Sequence, residues 1–383
     1  MLLIFVFILK FISTFSDQEN QTWSYVHECD PKTWTECPAK DASRFNIYHF
    51  IQLKNGTYNS FVLTFFDRPR ILMAQTIHLC HLDINYSIIV RGVRTDAIYF
   101  KFANKSCNLS KTTDQLIFES LVEIEESSVV KEHKLLIVDS VKGKPDNHFS
   151  VSATYLKYIT LNFTFHDKIK KQSILPFYTL GPSKILISLM VEQLETKSIN
   201  SNFFLDFHIS STRSKLKYIE KTSPFDIDSF GVFKSFEVME NTDSNHSQGN
   251  LSFYWRGVGY TSVERRRSSS VFAVVEHFNA TAHAYDFFFP QVNLTSHYQS
   301  RIGFISKSIE NCFFKKKLLI WDATFGTFGE PDTKLTWIIK LIMIAIYVVT
   351  AVLTLIVFVS LCIHLFRKRS GYQIIPAEEN VLE

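Results

Sequence analysis

Two stretches of the chain carry residue types that could do chemistry. His78, Cys80 and His81 form the densest group of potential metal ligands, and imidazole and thiolate are the ligands that zinc prefers. In a strand, however, His78 and Cys80 would share one face while His81 points away, which is poor geometry for zinc. The sequence therefore predicts no metal and no cofactor.

The second stretch is a pair of carboxylates, Asp226 and Asp228, spaced to share one strand face. Such a pair can do acid–base work when its neighbours separate the two pKa values. No third group is apparent, and the pattern favours a turn or a structural ion pair. The chain also lacks a Gly-x-Ser-x-Gly elbow, a His-Glu-x-x-His helix and a phosphate-binding loop. We predict no catalytic residue.

A modification site recurs far more often than any catalytic pattern. Ten asparagines stand in Asn-x-Ser/Thr sequons, which indicates a glycan-coated surface in a lumenal compartment. Each occupied site must face water. These asparagines are Asn20, Asn55, Asn85, Asn104, Asn108, Asn162, Asn245, Asn250, Asn279 and Asn293.

The spacing of the sequons leaves two gaps, at residues 164–244 and 296–337. Because a bulky glycan prevents close contact, a partner should bind within a gap. The second gap contains Trp-Asp-Ala-Thr-Phe-Gly at 321–326 and ends at Trp337. We expect this whole gap, a collar beside the membrane, to touch a membrane partner. Inefficient glycan transfer close to the bilayer explains the gap equally well.

Cysteine usage agrees with an oxidising compartment. Five cysteines precede the C-terminal apolar segment, and sequence alone does not choose among their pairings. Short loops favour Cys29 with Cys37 and Cys80 with Cys107, which leaves Cys312 free or paired with a partner. Cys362 is either a palmitoylation site or an inert thiol.

The charge pattern excludes nucleic acid as a partner. The formal net charge of +4 is small and dispersed. The densest basic run before the C-terminal segment, Arg265 to Arg267, precedes three serines and is interpreted as a solvated turn.

The elements that must position these residues are predicted to be strands. Residues 47–53 and 58–66 flank Asn55-Gly56, which tolerates the positive φ of a tight hairpin. Residues 84–93 and 97–102 are expected to form another pair. Residues 155–165 alternate with a period of two, which indicates a strand with one wet side.

Further strand patterns fill the chain, and no amphipathic segment of helical length stands out. We therefore predict a mainly β fold with a sandwich-like ectodomain, in two tandem units at 17–147 and 148–334. The 36 phenylalanines supply core volume. The additional strands are predicted at 116–124, 185–194, 203–210, 230–238, 251–263, 271–275, 285–289 and 318–325.

The two ends of the chain predict a single-pass type I membrane protein. Residues 1–16 have the length of a signal peptide, although an uncleaved anchor remains open. Residues 341–363 form a run of 23 without a charge, and we predict a transmembrane helix at 335–366. The basic residues at 367–369 then place the tail, 367–383, in the cytoplasm.

Two patterns predict contacts for this C-terminal region. Gly371, Tyr372 and Ile375 form a tyrosine-based sorting signal that a clathrin adaptor would bind as an extended strand. Tyr347, Thr350 and Thr354 share one face of the helix and are candidates for docking against another helix. Threonine also bonds to its own helix, so the alternative of no docking stays open.

Together these features resemble the glycosylated lysosomal membrane protein family. The resemblance lies in Ile-Tyr-His-Phe-Ile at 47–51, Leu-Ile-Phe at 116–118, Tyr-Trp-Arg at 254–256 and the stretch 321–331. It extends to the sequons at Asn55 and Asn85, to Glu-Ile-Glu at 123–125 and to residues 223–233. The family's tyrosine signal closes the chain, whereas eight residues follow Ile375 here.

The resemblance implies a non-enzymatic accessory subunit in the lysosomal membrane. Family members associate with a multi-pass major-facilitator transporter of dipeptides and shield it from lumenal proteases. The alternatives are a membrane-tethered acidic hydrolase that uses Asp226 or Asp228, and a cargo or surface receptor. Turnover that is lost on Asp→Asn substitution would favour the hydrolase, and residence at the plasma membrane would favour the receptor.

Overall fold

The structure is a computed structural model of the chain, and it describes most of the strand-forming sequence. The described residues are 21–38, 42–54, 56–66, 68–92, 97–103, 105–107, 109, 113–125, 128–135, 140–144, 150–155, 157–166, 170–171, 179–181, 183–193, 202–212, 216–223, 233–240, 251–265, 270–278, 294–305, 317–327 and 337–370.

Strands dominate the described residues, as the sequence predicts. The predicted mainly β class is confirmed. The strands are β1 (Thr22–His27), β2 (Ile47–Lys54), β3 (Thr57–Thr64), β4 (Arg70–Thr76), β5 (His81–Ile84), β6 (Ile98–Phe102), β7 (Lys105–Ser106), β8 (Thr113–Glu125), β9 (Ser128–Lys134), β10 (Ser140–Lys144), β11 (Ser150–Tyr155), β12 (Ile159–Phe165), β13 (Lys170–Lys171), β14 (Thr179–Leu180), β15 (Lys184–Glu192), β16 (Asn202–Ser211), β17 (Leu216–Ser223), β18 (Phe233–Glu240), β19 (Leu251–Arg256), β20 (Val258–Tyr260), β21 (Ser270–Phe278), β22 (Ser296–Ile305) and β23 (Leu318–Thr327).

Three helical elements accompany these strands in the described residues. They are a 3-10 helix (Ala42–Phe45), the five-residue α1 (Tyr86–Val90) and the 34-residue α2 (Trp337–Ser370).

Eighteen strands join in one antiparallel hydrogen-bonded network. The first ladder runs β1-β2-β3-β4-β8-β16-β22-β21-β20, and β9 continues the β4 edge along the second half of β8. The second ladder runs β10-β11-β12-β15-β23-β19-β18-β17. Strand β20 pairs with both β21 and β23 and so connects the two ladders.

The two ladders pack face to face over one apolar core, called here the sandwich core. Strand β12 shows why: its burial alternates strictly, with Ile159, Leu161, Phe163 and Phe165 buried. Rings from the two ladders meet across this core. The ring centroids of Phe50 and Phe165 are 4.4 Å apart, and those of Phe65 and Phe163 are 5.7 Å apart.

A second, smaller core lies on the other face of β2, β3 and β4. It is covered by a layer, called here the cap, which comprises residues 28–38, the 3-10 helix, β5, β6, β7 and α1. Strands β5, β6 and β7 form a separate three-stranded sheet. The ladder contributes Ile47, Val62 and Leu72 to this cap core, and the cap contributes Ile98 and Phe100.

The predicted hairpin around Gly56 is confirmed, with β2 paired to β3 and a φ of 75° at Gly56. The predicted strand at 84–93 is wrong. Strand β5 ends at Ile84, and α1 follows because the Asn85 side chain caps it, accepting a hydrogen bond from the Ile88 N–H at 3.4 Å. The residues around α1 are rich in β-forming types, so the sequence pattern did not predict this single helical turn.

The predicted strand at 155–165 is two strands. Strand β11 ends at Tyr155, β12 begins at Ile159, and Lys157 between them adopts a φ of 59°. A positive φ marks a tight turn. The Tyr158 N–H donates to the Tyr155 carbonyl at 3.2 Å, so the two strands form a hairpin.

Residues 1–331 form one compact unit and residues 332–383 form another. The predicted boundary at 147/148 lies outside the described residues. Strands from either side of it pair directly, since β8 forms a ladder with β16 along its length. The predicted signal peptide and most of the predicted cytoplasmic tail also lie outside the described residues.

The second unit contains α2, whose described side chains are those at 346 and 349–365. Within the described residues, no helical segment combines the length and the apolar character needed to cross a bilayer. The described large apolar side chains of α2 are all exposed, for example Val349 at 56% and Phe358 at 66%.

Candidate functional site

Two of the ten predicted glycosylation sites lie within the described residues. Asn85 is exposed and caps α1 through its side-chain oxygen, which leaves the amide nitrogen that a glycan would modify. Asn162 is half-buried on the wet side of β12, and its oxygen accepts a hydrogen bond from the Ser152 hydroxyl at 2.5 Å. The other eight sites lie outside the described residues. They are Asn20, Asn55, Asn104, Asn108, Asn245, Asn250, Asn279 and Asn293.

Two disulfides tie the cap together. The bridges are Cys29–Cys37 and Cys80–Cys107, the pairing that the short loops favoured. All four cysteines are buried in the cap core. Cys362 is a free thiol, and Cys312 lies outside the described residues.

The docking and sorting residues are only partly described. Thr350 donates to the Ile346 carbonyl at 3.0 Å, and Thr354 donates to the Thr350 carbonyl at 2.9 Å. Both hydroxyls therefore bond to their own helix, which is the open alternative to docking. The Tyr347 side chain and the sorting residues Gly371, Tyr372 and Ile375 lie outside the described part of the chain.

The described residues that were singled out as potential metal ligands have other contacts. Cys80 is bonded to Cys107, while His78 stacks on Phe102 with ring centroids 4.7 Å apart. Among the described residues, no three His, Cys, Asp or Glu side chains are placed to hold a metal ion. The Asp226 and Asp228 pair lies outside the described residues.

The predicted turn is present at 261–265, but Arg265 at its end is not a solvated side chain. Its guanidinium makes two hydrogen bonds to Asp322, with Nε–Oδ2 at 2.8 Å and Nη2–Oδ1 at 3.0 Å. The Asp322 side chain is 2% exposed and also accepts from the Ser188 hydroxyl. Sequence could not show this because Arg265 and Asp322 are 57 residues apart.

Within the expected collar at 296–337, the stretch 321–326 is not a contact surface. These six residues lie in β23, between β15 and β19, at the centre of the second ladder. Trp321, Ala323 and Phe325 are fully buried in the sandwich core. A partner cannot touch them in the folded chain. The contact of the collar with a partner stays a prediction, because residues 306–316 and 328–336 lie outside the described residues.

A different group stands out, at the junction of the first ladder and the cap. It comprises Tyr25 and His27 on β1, His49 on β2 and His81 on β5, and is called here the histidine cluster. The His27 and His49 rings stack with centroids 6.2 Å apart. The Tyr25 ring lies 6.0 Å from His49 and 5.9 Å from His81.

Strand geometry explains how the cluster forms. Tyr25 pairs directly with His49 across the β1–β2 ladder, and His27 follows Tyr25 by two residues on the same face. His49 shares its face with Ile47, so its ring enters the cap core and meets Phe100 edge-on at 6.0 Å. The adjacent bridges at Cys29 and Cys80 anchor the segments that carry His27 and His81.

The three imidazoles differ in their access to water. His81 is exposed, His27 is half-buried and His49 is fully buried. Both ring nitrogens of His49 and Nε2 of His27 have no hydrogen-bond partner among the described residues. A buried imidazole without partners is held in its neutral form, because burial of an unpaired charge is costly.

The electrostatics follow from this burial. Burial, and then the nearby His27 and His81, hold the pKa of His49 well below its ordinary value. Burial, and then His81, lower the pKa of His27. The cluster can therefore take up protons only if the packing around its buried imidazoles is disrupted.

Sequence analysis missed this cluster. His27 and His49 lie 22 residues apart, and neither forms a recognised motif. The only local signal is the alternation Tyr25-x-His27-x-Cys29, which puts a ring, an imidazole and a bridge on one face.

Comparison with known families shows which family the chain belongs to. A family described as glycosylated lysosomal membrane protein matches residues 127–368. The chain belongs to the glycosylated lysosomal membrane protein family. No curated protein shows a significant match to the chain.

Family membership makes this chain a lysosomal membrane glycoprotein. The matched residues include the second ladder, β16 to β22 and α2, and they begin after the cap and the histidine cluster. The bridges of the cap agree with an oxidising compartment.

Proposed function

We propose that this glycosylated lysosomal membrane protein is a single-pass type I accessory subunit, which protects a multi-pass major-facilitator transporter of dipeptides from lumenal proteolysis. The observation that carries the proposal is that the chain has a compact β unit at 1–331 and, in its second unit, one long helix among the residues that the structure describes, Trp337–Ser370. A single helix offers no transport path of its own and needs partner helices to serve transport.

The full sequence of the C-terminal segment, which extends beyond the described side chains of α2, supports a membrane crossing. Residues 341–363 carry no charge, and 23 residues at about 1.5 Å each exceed the roughly 30 Å of a hydrocarbon core. The described apolar side chains lie exposed on every side of the helix, and a helix that is apolar all round requires an apolar environment. The basic residues at 367–369 favour a cytoplasmic C-terminus.

The β unit has the properties of a protease-resistant shield. Cleavage of a folded domain requires local opening, and opening is rare where strands are paired on both sides and their apolar faces are buried. Strand β23 is an example, since it pairs with β15 and β19 and nine of its ten residues are buried. Glycans at exposed positions such as Asn85 would add a steric barrier.

The test is the lifetime of the transporter in lysosomes. Cells that lack this protein are complemented with the full chain or with nothing, and transporter half-life is measured by pulse–chase with and without lumenal protease inhibitors. The proposal expects a shorter half-life without the protein and rescue by the inhibitors. Equal half-lives would falsify it. Co-elution from mild detergent identifies the transporter.

Leucine substitutions on two opposite faces of α2 test how this protein associates with the transporter. Replacing Tyr347, Thr350 and Thr354 with Leu removes the hydroxyl face, and a docking role predicts reduced co-elution. The matched control replaces Val352, Ile356 and Val359 with Leu, because they lie on the opposite side of a 3.6-residue helix. Equal co-elution of both variants would show that the two threonine hydroxyls serve only their own helix.

A further inference from the structure

We propose that the histidine cluster is an acid-responsive latch, which holds the cap and β1 against β2 near neutral pH and releases them when its imidazoles take up protons. The proposal adds a regulated movement to the lumenal unit and does not depend on which partner that unit protects. It rests on where the cluster lies, how it is exposed and which charges surround it.

The cluster lies where the fold can open. Among the described residues, β1 pairs only with β2, so it is an edge strand held by six residue pairs. Cap strand β5 pairs only with β6 there. Besides the cluster, a hydrogen bond from the Tyr86 hydroxyl to the His27 carbonyl at 2.5 Å ties β1 to the cap.

The three imidazole rings are exposed to water to different degrees and lie in contact through Tyr25. His81 lies at the surface, Tyr25 bridges it to His49, and His27 stacks on His49 from the side. A proton that reaches His49 creates a charge in the apolar cap core, beside Phe100. That charge can be solvated only if β1 or the cap moves away.

The groups that face His49 strengthen the tendency of β1 and the cap to separate when His49 takes up a proton. From β1 they are Tyr25 and His27, from β5 His81, and from β6 the Phe100 ring. The neighbours whose charges act on His49 are both histidines, so a second proton repels the first.

Two acidic groups close in sequence to the cluster are not among the groups that act on the pKa of His49. Glu28 acts on Tyr86, where it adds to the effect of burial in raising the pKa. Asp83 forms an exposed ion pair with Lys101. A proton on His49 therefore finds no carboxylate among the groups described as acting on it, and it favours the open state.

The direction with pH follows from linkage. The closed state holds neutral His49, and the open state exposes an imidazole whose pKa is near its ordinary value of about 6.5. The open state therefore binds more protons below that value, and the closed state is lost as pH falls. One such histidine raises the opening equilibrium constant about 25-fold between pH 7 and pH 5.

Hydrogen exchange of the full chain in mild detergent tests the proposal. Protection factors, corrected for the intrinsic pH dependence of exchange, are compared at pH 7 and pH 5 for β1 and for β15. Strand β15 lies between β12 and β23 and serves as the internal reference. We expect protection of β1 to fall about 25-fold or more, and that of β15 to stay constant.

Variants distinguish a latch from general acid sensitivity. His49→Leu removes the buried imidazole, and His49→Gln is a second neutral replacement; each should abolish the fall in β1. The matched control is His297→Gln, in a second stacked pair with His208 at 5.4 Å within the first ladder, and it should respond like the unmodified chain.

Two outcomes overturn the proposal. One is β1 protection in the unmodified chain that does not change relative to β15. The other is a fall in β1 that persists in the His49 variants. If neither His49 variant folds, the unmodified chain and His297→Gln still test the latch. A β1 protection factor that is the same at pH 7 and pH 5 in these two proteins excludes it.

Discussion

The two cores of the β unit are stabilised in different ways. The sandwich core fills the space between two long ladders with aromatic and aliphatic side chains, among them Trp255 and Trp321. The cap core lies beneath strands of four, five and two residues and a five-residue helix. Short elements bury little apolar area, so cross-links must supplement burial. The cap core accordingly contains both described disulfides, and the buried His49 ring on β2 enters it.

The difference teaches where this protein can change shape. Apolar burial in the sandwich core does not depend on pH in the acidic to neutral range. The cap core, by contrast, contains imidazoles without hydrogen-bond partners among the described residues, and their neutral state depends on pH. We therefore expect stability to separate into a pH-independent part and a pH-dependent part.

The largest expected effect comes from removing an aromatic ring in the sandwich core. Trp255 is fully buried, and its centroid lies 5.0 Å from that of Phe253 and 5.6 Å from that of Phe236. Trp255→Ala should destabilise the β unit by about 4 kcal/mol, through lost burial and a cavity. Chemical denaturation measures this, and the loss should be equal at pH 7 and pH 5. Trp255→Phe, which keeps a ring, should cost less.

Backbone packing gives a second contrast between the regions. A Cβ at Gly326 in the second ladder would lie 2.0 Å from the Ser183 carbonyl oxygen, so Gly326→Ala should cost about 3 kcal/mol or more. Gly92 in the cap has a φ of 72° and no atom within 4 Å. Gly92→Ala should cost only about 1 kcal/mol. Equal losses in denaturation would contradict this view of Gly326.

Removal of a bridge should affect the cap alone. The Cys80–Cys107 bridge spans 27 residues and the Cys29–Cys37 bridge spans 8. Loop-closure entropy predicts losses of about 3.5 and about 2.5 kcal/mol for the two double Cys→Ala variants. Hydrogen exchange should show the greater loss of protection in β5 and β6. Equal loss in β15 would mean that the two cores unfold together.

The smallest expected effect is a gain in stability. Tyr155 is fully buried in the sandwich core, its hydroxyl has no hydrogen-bond partner among the described residues, and burial raises its pKa. Tyr155→Phe removes an unsatisfied polar group and should stabilise the unit by up to about 1 kcal/mol. A loss of stability in thermal denaturation would reveal a partner for the hydroxyl. Tyr48→Phe is the comparison, because Tyr48 has a polar neighbour in Asn46.

Local patterns predicted much of the architecture. The alternation in β12, the Asn-Gly hairpin and the two short-loop bridges all depend on residues close in sequence. They can therefore be predicted from short stretches of the chain. The same reasoning failed at α1, where one side-chain cap outweighs β-rich composition, and at 155–158, where a tight turn interrupts an apparently continuous strand.

By itself the sequence determined the β class, the apolar C-terminal segment, the ten sequons and the family resemblance, because each is a property of composition or short spacing. Only the tertiary structure decided that Arg265 pairs with Asp322 and that His49 meets His27 and His81. Such contacts depend on which strands become neighbours and on which face each side chain enters, and a one-residue change of register would reverse both. The histidine cluster, which is the candidate site, is therefore a feature that only the tertiary structure decided.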